Sequence, residues 1–233
     1  MSRPAVSWID RLPSRRAIAE FSLWSADLLR LSDELIRIEP CADLLHVDVA
    51  DGHFAHALLF FPDLVAAVRQ ATRLPIHAHL MVAESVLLSQ IDEFAEAGCD
   101  LISLHVENAA VAEAALDRLE AKGVAAGMAV KIETPIAAAA RFLPRLRFLT
   151  LLGTALGVRG QRLDATACDR LRQAARLIAD SGAERRIVLA ADGGIKEQTA
   201  PELRAAGAQS LVLGSLAFGA PELASRMAWL HAI

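Results

Sequence analysis

Two short stretches concentrate the residue types that bind metals or move protons. HVDVADGHF (46–54) carries His46, Asp48 and Asp51, and LPIHAHLM (74–81) carries His77 and His79. Both stretches are otherwise apolar, and in a strand residues i and i+2 face the same way. His46 and Asp48 therefore share a face, as do His77 and His79. Burying such groups without partners is costly. A shared metal ion would satisfy them, and internal hydrogen bonds are the plainer alternative.

The elements that must position these residues follow from the apolar pattern. Strand-like runs fall at 17–23, 44–49, 75–81, 100–105, 124–130, 147–152, 186–191 and 210–213. Helical patterns lie between and after them at 27–39, 62–72, 84–97, 110–122, 136–143, 165–181, 198–206 and 221–231. AEAGCD (95–100) and RAAGAQ (204–209) place glycine where a helix stops before a strand. Eight strand–helix repeats predict parallel strands, right-handed crossovers and an α/β fold closed into a single (β/α)8 TIM barrel. A doubly wound open sheet is the structural alternative, but the first turn has no GxGxxG. Nothing linker-like divides the chain, so the expectation is a short N-terminal extension (1–16) covering the bottom of one barrel (17–233).

Composition narrows the function classes. The 233 residues are 54% hydrophobic and 22% charged with net charge −4, which supports a large core and argues against disorder. Basic residues are scattered, so no nucleic-acid partner is expected. No apolar run approaches the roughly 18 residues of a membrane span. The opening MSRPAVSWIDRLPSRR has no apolar segment of the secretory kind, and Cys41, Cys99 and Cys168 form no CxxC pair. A reduced, cytoplasmic protein is the expectation.

In such a barrel the active site lies at the C-terminal ends of the strands. Ser22 falls there on the first strand, His46 and Asp48 on the second, His79 on the third, and Asp192 after the seventh. Two imidazoles and two carboxylates suit one divalent ion: zinc, manganese, iron or cobalt.

FSLWSADLL (21–29), HVDVADGHF, HAHLM (77–81), DLISLHVE (100–107), ADGGI (191–195) and GAQSLVLGSLAFGAPE (207–222) together resemble the ribulose-phosphate 3-epimerase family. Order and spacing match over nearly the whole chain after about residue 17. The resemblance implies a (β/α)8 barrel, one catalytic divalent metal and a small phosphorylated ketose as substrate. By the same resemblance His46, Asp48, His79 and Asp192 are metal ligands, and Asp48 and Asp192 are the two acid/base groups. Ser22, His79, Met81, Gly157, Gly160, Gly193, Gly194, Gly214 and Ser215 match substrate-contacting positions, the last four on the phosphate. The resemblance also implies a homo-oligomer, dimeric or hexameric.

The departures bear on substrate. The sixth loop reads ALGVRGQ (155–161) where the family has roughly NPGFGGQ, and Arg159 stands as either a phosphate contact or a solvated loop residue. Of three methionines usual near the metal only Met81 remains, with Ala50 and Leu152 at the other positions. The reaction type is therefore held more firmly than the sugar. Two rival readings remain. The HxH pair of His77 and His79 also occurs in metal-dependent barrel hydrolases, although supporting a ligand from behind, or touching the pocket, suits His77 better. A catalytically silent sugar-phosphate binder is the other, but it would not need two carboxylates.

Overall fold

The computed structural model describes residues 6–183 and 186–233, so residues 1–5 of the expected extension lie outside the described residues. Eight parallel strands form the ring: β1 (Ile18–Ser22), β2 (Leu44–Asp51), β3 (Ile76–Met81), β4 (Leu101–His105), β5 (Ala125–Val130), β6 (Phe148–Leu152), β7 (Val188–Asp192) and β8 (Ser210–Leu213). Each pairs with the next, and β8 pairs with β1, which pairs with β2, so the sheet closes. Around it run α1 (Leu31–Ile38), α2 (Pro62–Ala71), α3 (Glu84–Ala97), α4 (Ala112–Ala121), α5 (Ala167–Asp180), α6 (Ala200–Ala205), α7 (Ser215–Phe218) and α8 (Leu223–Ala232).

The strands alternate as a closed barrel requires. On β2, Leu45, Val47 and Val49 join the large core between sheet and helices, while Leu44, His46 and Asp48 face the interior. Inside the barrel the layers change character from bottom to top. The lowest is apolar, with Ile18, Leu44, Leu101, Phe148 and Val188 packed around Trp8, Ile9 and Leu12 from the N-terminal segment. Each fully buried large apolar side chain of this kind contributes roughly 1.5–3 kcal/mol. Arg186 fastens that segment by donating to the carbonyls of Ile9, Leu12 and Pro13. Above the apolar layer the interior turns polar.

The departures from expectation are local. The 136–143 segment forms a 3₁₀ helix, Ile136–Arg145, with Pro144 inside it. The 27–39 pattern splits into a 3₁₀ turn (Leu28–Arg30) and α1, with Asp27 accepting from the Leu29 N–H at the start. Leu58–Leu59 pairs antiparallel with the end of β2, and α7 follows β8 directly; neither element stands out in the apolar pattern. Among the described residues no helix is long and apolar enough to cross a membrane.

Candidate active site

Strand pairing decides which polar residues meet. In register, Ser22 lies beside His46, and Asp48 beside His79. β2 and β7 are three steps apart around the ring, through β1 and β8, so Asp48 and Asp192 approach from different arcs of the rim. Ligand atoms of His46, Asp48, His79 and Asp192 all lie within 4.8 Å of one another. His46 Nε2 is 3.2 Å from Asp48 Oδ1 and 3.8 Å from Asp192 Oδ2. His79 Nδ1 is 3.5 Å from Asp48 Oδ1 and 3.6 Å from Asp192 Oδ2.

Two observations fit a cation at the centre of this group. His46 Nε2 and His79 Nδ1 are buried yet make no hydrogen bond, although both face the carboxylates. Buried polar nitrogens are rarely left so. The donors, two imidazole nitrogens and two carboxylates, also form the mixed set that zinc, manganese, iron or cobalt accepts.

The remaining ring nitrogens are occupied. His46 Nδ1 lies 2.7 Å from Glu20 Oε1. His79 Nε2 lies 2.9 Å from His105 Nε2, and His105 Nδ1 lies 3.0 Å from Glu107 Oε2. Glu107 in turn accepts from the Lys131 N–H and the Thr134 hydroxyl. Ser22 Oγ donates to Asp48 Oδ2 at 2.8 Å.

Electrostatics follow from these contacts. Burial alone would raise the Asp48 carboxyl, but His46 and His79 outweigh it and hold the group far below the usual carboxylate range. Burial pulls His46 down, yet Asp48 and Glu20 lift it well above the ordinary imidazole value. His79 is likewise raised, against burial, by Asp192 and Asp48. Binding a cation there would displace those imidazole protons. His105 has the opposite balance: burial dominates and brings it to about 4, so it is neutral near pH 7.

A cavity of about 370 Å³ opens above the group. Ser22, Asp48, His79, Met81 and Asp192 lie along its wall, with Gly157, Gly160, Gly193, Gly194, Gly214 and Ser215. Every site residue expected from the sequence thus lines the cavity except His46, which faces the same cluster from beneath. Leu152 lines it too, whereas Ala50 packs with Ala55 and Met81 in a small apolar cluster. Gly194 has φ +71°, and a Cβ there would stand 2.8 Å from Leu163 Cα, so loop packing demands this glycine whatever the cavity binds. Lys196 Nζ donates to Ser215 Oγ at 2.5 Å, and the Arg159 guanidinium lies 5.4 Å from the centre of the Trp24 ring. Both cations line the cavity.

Three other polar residues lie around the ligand group. Asp51 points away and accepts from the N–H groups of His53, Phe54 and Ala83, pinning the loop after β2. His77 has both ring nitrogens engaged, by Glu20 at 2.6 Å and Ser103 at 2.7 Å, below the ligand group. His105 is fully buried against His79. Glu20 went unnoticed because a lone glutamate in AIAEFSL carries no motif; its position on an interior-facing register was the available signal.

The chain is similar to known proteins in both sequence and fold. Residues 18–218 match the model of the ribulose-phosphate 3 epimerase family. The chain is 33% identical to the ribulose-phosphate 3-epimerase of Bacillus subtilis over 199 residues, covering 85% of this chain and 90% of that one. It is 35% identical over 206 residues to ribulose-phosphate 3-epimerase 2 of Cupriavidus necator, covering 86% and 84%. Among solved structures, the tryptophan synthase α-subunit of Pyrococcus furiosus superposes with a TM-score of 0.68 at 16% identity, over 95% of this chain and 100% of that one, a likeness of fold alone. With a family match over most of its length and relatives at this level of identity, the chain belongs to the ribulose-phosphate 3-epimerase family.

Proposed function

We propose that the protein interconverts the C3 epimers of a phosphorylated ketose, D-ribulose 5-phosphate and D-xylulose 5-phosphate or a close relative. One observation carries this reading: two carboxylates from separate arcs of the rim, Asp48 and Asp192, converge on one cavity floor. Removing the proton at C3 of a ketose leaves a planar enediolate. A base on one face and an acid on the other invert the centre, which two groups on one face could not do. Asp48 is aligned by the Ser22 hydroxyl, which donates to its Oδ2, as a proton acceptor at the cavity floor should be. Asp192 would return a proton from the other side, with roles exchanged in the reverse direction.

His46, Asp48, His79 and Asp192 would hold the divalent ion, which as a Lewis acid would lower the energy of negative charge developing on the substrate oxygens. Another part of the cavity wall suits a phosphate. Gly193, Gly194, Gly214 and Ser215 lie there. Lys196 donates to a hydroxyl and Arg159 lies over an indole, which sets two cationic side chains on the cavity wall for a dianion. The hydrolase reading loses support because His77 is committed to Glu20 and Ser103 and does not converge with His79. The same proposal includes a cytoplasmic homo-oligomer, to which exposed Leu29, Ile36, Leu58 and Phe61 lend apolar surface.

Deuterium incorporation at C3 of ketose phosphates in D₂O tests the chemistry. Wild-type protein should exchange this hydrogen and form the epimer, and Asp48→Asn and Asp192→Asn should each abolish turnover. Unchanged turnover in both variants would remove the two-carboxylate mechanism.

A further inference from the structure

Glu20 is fully buried in the barrel, beneath the ligand group and outside the cavity wall, and the proton-transfer scheme makes no use of it. A carboxylate in that position needs strong compensation. Its Oε1 lies 2.7 Å from His46 Nδ1 and 2.6 Å from His77 Nδ1, and its Oε2 accepts from Ser210 Oγ at 2.7 Å.

An ionised carboxylate only accepts, so both imidazoles must donate to it through Nδ1. A neutral imidazole has a single N–H. Once that hydrogen sits on Nδ1 of His46, Nε2 presents a lone pair, and Nε2 is the nitrogen buried without a partner beside Asp48 and Asp192. His77 completes the arrangement. Its Nε2 accepts from Ser103 Oγ, so its only hydrogen goes to Glu20 and the carboxylate stays aimed at His46. His79 independently shows the same pattern, with its rear nitrogen on His105 and His105 on the Glu107 carboxylate.

We infer that Glu20 is a positioning residue for the cation site: it fixes His46 as the Nδ1–H tautomer and strengthens its Nε2 as a ligand. The inference rests on the metal reading given above. A hydrogen bond from the rear N–H to a carboxylate makes an imidazole more basic and stops the ring turning, and losing such a partner weakens metal binding by about 10–100-fold. A polar plug that merely filled the barrel would affect folding alone.

The test measures zinc affinity of the metal-free protein by competition with a chromophoric chelator, with ring-nitrogen NMR of the zinc-loaded form. Glu20→Gln keeps the size and an acceptor oxygen but loses the charge; it should bind zinc about tenfold more weakly and shift the His46 Nδ1–H resonance upfield. Glu20→Ala should lose towards about 100-fold. Should Glu20→Ala fail to fold, Glu20→Gln decides alone. Zinc affinity within about twofold of wild type for Glu20→Gln, with an unmoved His46 resonance, overturns the inference. Wild-type protein that binds no zinc, manganese, iron or cobalt overturns the metal reading itself, and this inference with it.

Discussion

Replacing Gly127 with alanine puts a methyl group into the polar layer beneath the site. Gly127 pairs with Ser103 across β4 and β5, and the added Cβ would overlap Ser103 Oγ while standing 3.2 Å from Ser103 Cβ and 3.3 Å from Phe148 Cβ. Its φ is not left-handed, so alanine is conformationally allowed and would by itself stabilise by about 0.4–1 kcal/mol through the unfolded chain. Two costs oppose that gain. Overpacking a tight interior costs about 1–3 kcal/mol. Rotating the Ser103 hydroxyl away leaves His77 Nε2 buried without a donor, a further loss of about 1–3 kcal/mol. The net is a destabilisation of about 1–5.5 kcal/mol, or a fall in Tm of about 2–20 °C for a chain of this size. Calorimetry on Gly127→Ala, Ser103→Ala and the double variant reads both the size and the cause. Removing the Ser103 hydroxyl relieves the overlap, so the double variant should be more stable than the two single losses predict, by about 1–3 kcal/mol. A Tm for Gly127→Ala within about 2 °C of wild type, or strict additivity in the cycle, would refute this account of the layer.

Three further outcomes follow from the same structure. Arg69 is buried beside Asp100, with Nη1 3.0 Å from Asp100 Oδ2, and also donates to the Thr72 carbonyl; Arg69→Leu removes both contacts and should cost about 3–5 kcal/mol in urea unfolding, and a loss below about 1 kcal/mol would contradict the pairing. Burial would raise the Glu107 carboxyl, but hydrogen bonds from His105 and Thr134 bring it down from 4.5 to about 2, so its ionised form favours the fold. That stabilisation is complete above pH 4.5 and disappears as pH falls towards about 2, so the stability gap between wild type and Glu107→Gln should narrow across this window and not at higher pH. Lys196→Ala should raise KM for a ketose phosphate by about tenfold or more while changing kcat less, and an unaltered KM would take Lys196 out of the phosphate subsite.

The sequence alone determined the fold class and the rim residues, for a physical reason. Strand side chains alternate with a period of two, and parallel barrels expose function at strand C-termini, so HVD, HLM and DGG announce their places without coordinates. Bringing Asp192 to His46 took no finer information than closure of the ring. What surrounds those ligands was decided by tertiary structure. Glu20 lies 26 residues from His46, 57 from His77 and 190 from Ser210, and they meet only because β1 pairs with both β2 and β8 when the sheet closes. Which nitrogen of each histidine faces the cavity depends on those distant hydrogen bonds, not on the HxD or HxH spacing. His77 illustrates the difference: HxH spacing leaves it as either a ligand or a supporting residue, and its hydrogen bonds to Glu20 and Ser103 decide between them. Local pattern sets which face a side chain occupies, while its partners there are set by chain closure across long separations.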